Sequence, residues 1–233
     1  MELHGPSWWI CLSGPLCLCA FPVIRRSDSL PDILRPVSVR TSLVIAFTAL
    51  NVTIGGLVAW LKLPIYLDST GIVLASLLLG WRAGVSCAVL TCLIGFFVVN
   101  PYLPFFTGTA IVIALVVDQL RRRNMYRSPL LTVVSALLLA CAAALASAPV
   151  AAFVFGGVTT SGSDLITAFF RATGQSLMDS VMLSQLTSEP VDKLIVTLVS
   201  ISVVRALPKS FLAQHGLRGH EDLRGPISPQ EDL

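Results

Sequence analysis

Six predominantly apolar runs follow one another along the chain, over residues 43–61, 67–81, 83–99, 103–120, 130–155 and 191–207. Lipid offers the backbone no hydrogen-bond partner, so a single run that enters it must satisfy its own N–H and C=O groups as a helix. A spanning helix takes about 20 residues, because each rises about 1.5 Å and the hydrocarbon core is about 30 Å thick. The runs therefore predict an all-α membrane bundle of about six transmembrane helices. Only 12% of the 233 residues are charged, half the share of about 25% that a soluble domain carries on its surface. Gly80, Trp81 and Arg82 mark a turn between the second and third runs, Arg121–Arg122–Arg123 closes the fourth, and Pro149 is a kink or end within the fifth.

The basic residues have a side. Arg25, Arg26, Arg35 and Arg40 precede the first run, Arg82 follows the second, Arg121, Arg122, Arg123 and Arg127 follow the fourth, and Arg205 and Lys209 close the sixth. With six spans all of these fall on one face of the membrane. Lys62 and Arg171 fall on the other, with Lys193 near the outer start of the last helix. The positive-inside rule then places both termini in the cytoplasm of a multi-pass cell-membrane protein. Short basic clusters beside apolar runs do not make the broad patch that nucleic acid requires.

Three regions follow from this. Residues 39–210 form the membrane domain. Residues 1–38 include an apolar stretch, 8–24, broken by Gly14, Pro15 and Pro22; it reads as a seventh span, a signal-like segment or an interfacial stretch. Residues 211–233 are polar and expected to be disordered.

Catalytic chemistry finds little material. The histidines, His4, His215 and His220, lie outside the runs, so an intramembrane metalloprotease has no ligands. The cysteines, Cys11, Cys17, Cys19, Cys87, Cys92 and Cys141, lack the spacing of zinc or redox sites and read as small buried hydrophobes. No enzyme, metal or cofactor is expected.

Residues 156–190 fit no span. A turn-forming run, 156–163, precedes Asp164, a candidate cap for a helix over 165–183. Thr167, Arg171, Gln175 and Asp179 recur every four residues and would form one polar stripe on it, opposite an apolar face. This amphipathic outer helix is either a solvated surface element or a lid over a ligand pocket. In the second case Arg171 is a hydrogen-bonding fork for an anionic or carbonyl group, with Gln175 and Asp179 beside it. Ser188 and Pro190 read as a start signal for the last helix, with Asp192 and Lys193 as capping and interfacial groups.

Polar residues near the spans are the remaining candidates. Asn51, halfway along the first run, must bond another helix or a ligand. Asp68 is either a cap for the second helix or a ligand group, with Thr70 next to it. Asn100, Tyr102 and Thr107 cluster where they would rim the same pocket, and Asp118 pairs with the adjacent arginines. Small residues recur at four-residue spacing on the first run: Ser42 and Ala46, Ala49 and Thr53, Gly55 and Ala59. Such rows let helices approach closely, either within this protein or against another membrane subunit.

Four strings in order, Leu-Pro-Ile-Tyr-Leu-Asp-Ser-Thr-Gly at 63–71, Ser-Ala-Pro-Val-Ala-Ala-Phe-Val-Phe-Gly-Gly at 147–157, Arg-Ala-Thr-Gly-Gln-Ser at 171–176 and Ser-Glu-Pro-Val-Asp-Lys-Leu at 188–194, resemble the substrate-specific S components of energy-coupling factor (ECF) transporters. The likeness runs from about residue 39 to 208 and is to a subgroup without an assigned substrate. Gly80-Trp81-Arg82-Ala83-Gly84 stands where the family carries Gly-Pro-x-x-Gly, and Cys92 where it carries asparagine. The resemblance implies six membrane helices and capture of a vitamin-like micronutrient from outside. It also implies a transmembrane coupling subunit, contacted here through Ser42, Ala46 and Ala49, and two ATPase subunits. The chain has no phosphate-binding Gly-x-x-x-x-Gly-Lys-Ser/Thr loop of its own. On this reading Asn51, Asp68, Thr70, Arg171, Gln175 and Asp179 line the pocket. A stand-alone secondary transporter and a membrane sensor module are the alternatives.

Overall fold

A computed structural model describes residues 39–159, 162–208, 210 and 217. The stretch 1–38 and nearly all of the tail 211–233, on which a seventh span and a disordered segment were expected, lie outside the described residues. Within them the chain is all-helical: α1 (Val39–Trp60), α2 (Thr70–Leu79), α3 (Trp81–Val98), a 3-10 turn (Leu103–Phe106), α4 (Thr107–Arg122), α5 (Pro129–Phe153), α6 (Ser163–Ala172) and α7 (Leu177–Ala206). Four helical stretches, Val39–Trp60, Trp81–Val98, Leu103–Arg122 and Pro129–Phe153, are long and apolar enough to cross a membrane, as a multi-pass membrane protein requires.

The distribution of side chains on α5 explains the packing. Its buried face is mostly small, with Ala136, Ala140, Ala143, Ala144, Ala148, Ala151 and Ala152 joined by Thr132, Ser135, Ser147 and one large side chain, Leu139, while Leu130, Leu137, Leu138 and Leu145 point away from the bundle. Small residues inward and large ones outward bring backbones close without a hydrophobic driving force between helices. So much exposed apolar surface would associate in water. Pro149 sits within α5 and does not end it. Helix α7 runs along α5, and α2 is enclosed by α1, α3, α4 and α7. Two glycines permit this enclosure. A Cβ at Gly71 would lie 2.1 Å from the Phe47 carbonyl oxygen of α1, and one at Gly84 of α3 would lie 2.0 Å from Ser76 Oγ of α2.

The second run does not form a long helix. Its helical part has 10 residues, about 15 Å at the usual rise, and 61–69 is an irregular loop. Leu67 in that loop is left-handed, at φ 49, a conformation uncommon for any residue but glycine. Backbone N–H groups of Tyr66 and Leu67 donate to Asp192 of α7 instead of a helical turn.

The amphipathic helix is also shorter than the stripe predicts. It ends at Ala172, and Gly174, at φ 88, turns the chain. A new helix begins where Ser176 accepts a hydrogen bond from the Asp179 N–H and donates one to the Asp179 carboxylate. Asp164 caps no helix; its carboxylate accepts from the Thr159 N–H and hydroxyl. The last helix then starts at Leu177, not near 191, and continues for 30 residues through Pro190. The proline removes one hydrogen bond, which packing against α2, α5 and α6 offsets.

The two ends of the bundle differ. At one end are the Gly80 turn and the Asp118 pairs with Arg121 and Arg122. Arg205 reaches the Tyr126 carbonyl there. At the other are the 61–69 loop and the start of α6, so close that a Cβ on Gly162 would lie 2.4 Å from the Leu63 carbonyl oxygen.

Candidate functional site

A cavity of about 160 Å³ opens among α1, the 61–69 loop, α3, α4 and α7, far more room than one water needs. Its walls are mostly apolar: Val58, Ile72, Val99, Leu103, Phe106 and Ile113 contribute to them. Polar groups converge from several elements, with Asn51 from α1, Tyr66, Asp68 and Ser69 from the loop, Thr91 from α3, Thr109 from α4, and Gln185, Glu189 and Lys193 from α7.

Asn51 is fully buried and serves as the interhelical bridge expected of it. Its amide donates to Thr91 Oγ1 at 3.2 Å and its carbonyl accepts from the Gly71 N–H at 2.6 Å. It also lines the cavity. Asp68 lines the cavity as well and does not cap α2, whose N-terminus follows Ser69 without a side-chain cap. Gly55 of α1 leaves room for it, since a Cβ there would stand 3.0 Å from Asp68 Cβ.

The centre of charge is a cluster on α7. Lys193 Nζ lies 2.5 Å from Asp192 Oδ2, 3.1 Å from Glu189 Oε2 and 3.3 Å from Ser69 Oγ. Asp192 turns its other oxygen to the N–H groups of Tyr66 and Leu67, at 3.0 and 2.6 Å. Lys193 and Asp192 are 2% and 0% exposed, which corrects their assignment as capping and interfacial groups. Burial of such charges is tolerated only with partners of opposite sign. The Glu189–Lys193 spacing of four residues puts both on one helix face, and this was the available signal. Pro190, which suggests a helix start there, masks it.

The other expected site residues lie elsewhere. Thr70 is buried at the start of α2, where its hydroxyl donates to the Leu67 carbonyl, and it is not part of the cavity wall. Arg171, Gln175 and Asp179 are exposed and distributed over α6, the Gly174 turn and α7. They neither form one stripe nor reach the cavity. Asn100 and Tyr102 do line it, whereas the Thr107 hydroxyl donates to the Pro104 carbonyl. Ser42, Ala46 and Ala49 lie on an exposed face of α1. Cys87 and Cys92 are buried free thiols and Cys141 an exposed one.

No metal-binding group of three or more His, Cys, Asp or Glu side chains occurs among the described residues. An enclosed, largely apolar space with convergent polar groups is suited to holding a small molecule. Compared with known proteins, the chain matches no family model, no curated protein and no solved structure.

Proposed function

We propose that this chain is the substrate-capturing membrane subunit of an ECF-type importer, taking a vitamin-like micronutrient from outside the cell into the cavity between α1 and α7. The observation that carries the reading is where the Leu63–Gly71 string falls. Tyr66, Asp68 and Ser69 of that string line the cavity, and the loop is tied down by Asp192 of the later Ser188–Leu194 string. Two separated strings of the resemblance thus meet in one pocket.

On this reading α1, α2, α3, α4, α5 and α7 are six membrane-embedded helices, and α6 lies at the outer surface. The arginine-rich end is cytoplasmic under the positive-inside rule, with both termini on that side and the cavity toward the outside. Ser42, Ala46 and Ala49 give α1 a shallow face for a transmembrane coupling subunit, and two ATPase subunits supply the energy. Uptake of a labelled nutrient by cells producing this chain should require the coupling and ATPase subunits. Transport by the chain alone supports a self-sufficient secondary transporter in its place.

A further inference from the structure

The polar wall of the cavity has acceptors left over and no ammonium hydrogen left to give. Lys193 carries three donors, and Asp192, Glu189 and Ser69 surround it. Asp192 is engaged through both oxygens. The Asp68 carboxylate, by contrast, makes no salt bridge among the described residues, although it feels the charges of Lys193 and Asp192. Glu189 meets Lys193 through one oxygen, and its other oxygen has no partner among the described residues. When ionised, the carboxylates of Asp68, Glu189 and Asp192 outnumber the one ammonium of Lys193, and two of them, Asp68 and Glu189, line a cavity whose walls are mostly apolar. Excess negative charge in such surroundings is strongly unfavourable without a compensating proton or cation, and a bound organic cation supplies the second.

A separate observation points into the same space. Thr109 of α4 is nine-tenths buried and lines the cavity, yet its hydroxyl has no hydrogen-bond partner among the described residues. Phe106 adds an aromatic wall, and an aromatic face attracts a cation as well as an apolar body. A bare metal ion fits poorly, since metals of this charge class want a cage of oxygen ligands and no metal-binding group is present among the described residues.

We infer that the cavity is selective for a small organic cation, an ammonium or similar positively charged group on an apolar body. Its charge lies at Asp68 and Glu189 and its body against Val99, Leu103 and Phe106. This deepens the ligand-capture reading and rests on it.

Three probes on one skeleton test the charge: benzylammonium, benzyl alcohol and benzoate, titrated calorimetrically into the purified full-length chain in lipid nanodiscs. Benzylammonium should bind at least tenfold more tightly than either of the others. Asp68→Asn and Glu189→Gln should each weaken it at least tenfold, while Asp179→Asn, outside the cavity, leaves it unchanged. Melting curves of both cavity variants check that they remain folded. Equal or tighter binding of benzoate or benzyl alcohol, no binding of any probe, or full affinity in folded Asp68→Asn and Glu189→Gln would overturn the inference. Partner-dependent uptake is read separately: if it persists while benzoate wins, only the charge assignment fails. If uptake needs no partner, the importer reading fails whatever the probes do.

Discussion

The backbone N–H of Leu67 donates to the carboxylate of Asp192, 125 residues further along the chain, at 2.6 Å. Through this bond a left-handed residue in the loop before α2 is held by the middle of α7. The same carboxylate neutralises Lys193, so the loop conformation and the charge of the cavity depend on one side chain. Structure and site share a single support.

Replacing that carboxylate should therefore be costly. Asp192→Ala leaves Lys193 with Glu189 as its remaining counter-charge and strands the two backbone donors of the loop, and removing one partner of a buried ion pair costs about 3–5 kcal/mol. Asp192→Asn keeps an oxygen for the loop N–H groups and loses only the charge, so its loss should be smaller. Thermal unfolding of the purified variants should rank wild type above Asn and Asn above Ala. Equal melting temperatures for wild type and Ala would contradict this account of the loop.

The contact between α1 and α2 makes a second expectation. Gly71→Ala places a methyl group 2.1 Å from the Phe47 carbonyl oxygen and disturbs the N–H that binds Asn51. Overpacking of this kind costs about 1–3 kcal/mol. Gly108→Ala is the matched control: it lies in α4 with nothing within 4 Å of the added carbon. Alanine there should be neutral or stabilise by about 0.5–1 kcal/mol. Denaturation in one detergent compares the two directly, and a Gly71→Ala protein as stable as Gly108→Ala would mean that α1 and α2 are further apart.

The long helices were legible because an uninterrupted apolar run has few alternatives. Helices α1, α3, α4 and α5 fall within a few residues of where the runs predict. What misled was apolar loop sequence: Leu67 continues the hydrophobicity of α2 and opens the second run, but it belongs to a loop that Asp192 holds, and α2 starts only at Thr70. The reverse error occurred on α7. Ser180, Ser184, Gln185, Ser188 and Glu189 suggest a surface segment, yet all are buried, against α6, the cavity and the rest of the bundle. Asn51 and Asp68 stood out as polar residues among apolar ones. Arg171, Gln175 and Asp179 stood out for their period alone, and Gly174 breaks the helix that the period assumes. No local rule announces that a positive φ at Gly174 will be used.

Tyr126, in the connection between α4 and α5, supplies an isolated test of polar burial. It is 1% exposed, its hydroxyl has no partner among the described residues, and burial pushes the phenol above its ordinary titration range, so it stays neutral. An unsatisfied buried hydroxyl costs about 1–3 kcal/mol. Tyr126→Phe should thus melt at the same or a higher temperature than wild type, while Tyr126→Ala, which empties a packed site, should lose about 3–5 kcal/mol by analogy with other large aromatic truncations. A drop in stability for Tyr126→Phe would reveal a partner for the hydroxyl.

The difference between the two ends of the bundle predicts a sidedness. Thr173 is exposed beside the Gly174 turn, at the end of the bundle that carries α6, and Arg123 is exposed in the arginine-rich connection. Single cysteines placed at these positions in an otherwise cysteine-free chain should respond oppositely to a membrane-impermeant maleimide. The Thr173→Cys protein should label in intact cells. The Arg123→Cys protein should label only after lysis, because clustered arginines near span ends stay on the cytoplasmic side. Neither substitution touches the cavity or a buried pair, so folding should be unaffected. The opposite pattern would turn the molecule over: the Lys193 cavity would then face the cytoplasm, and capture from outside would no longer be the direction of binding.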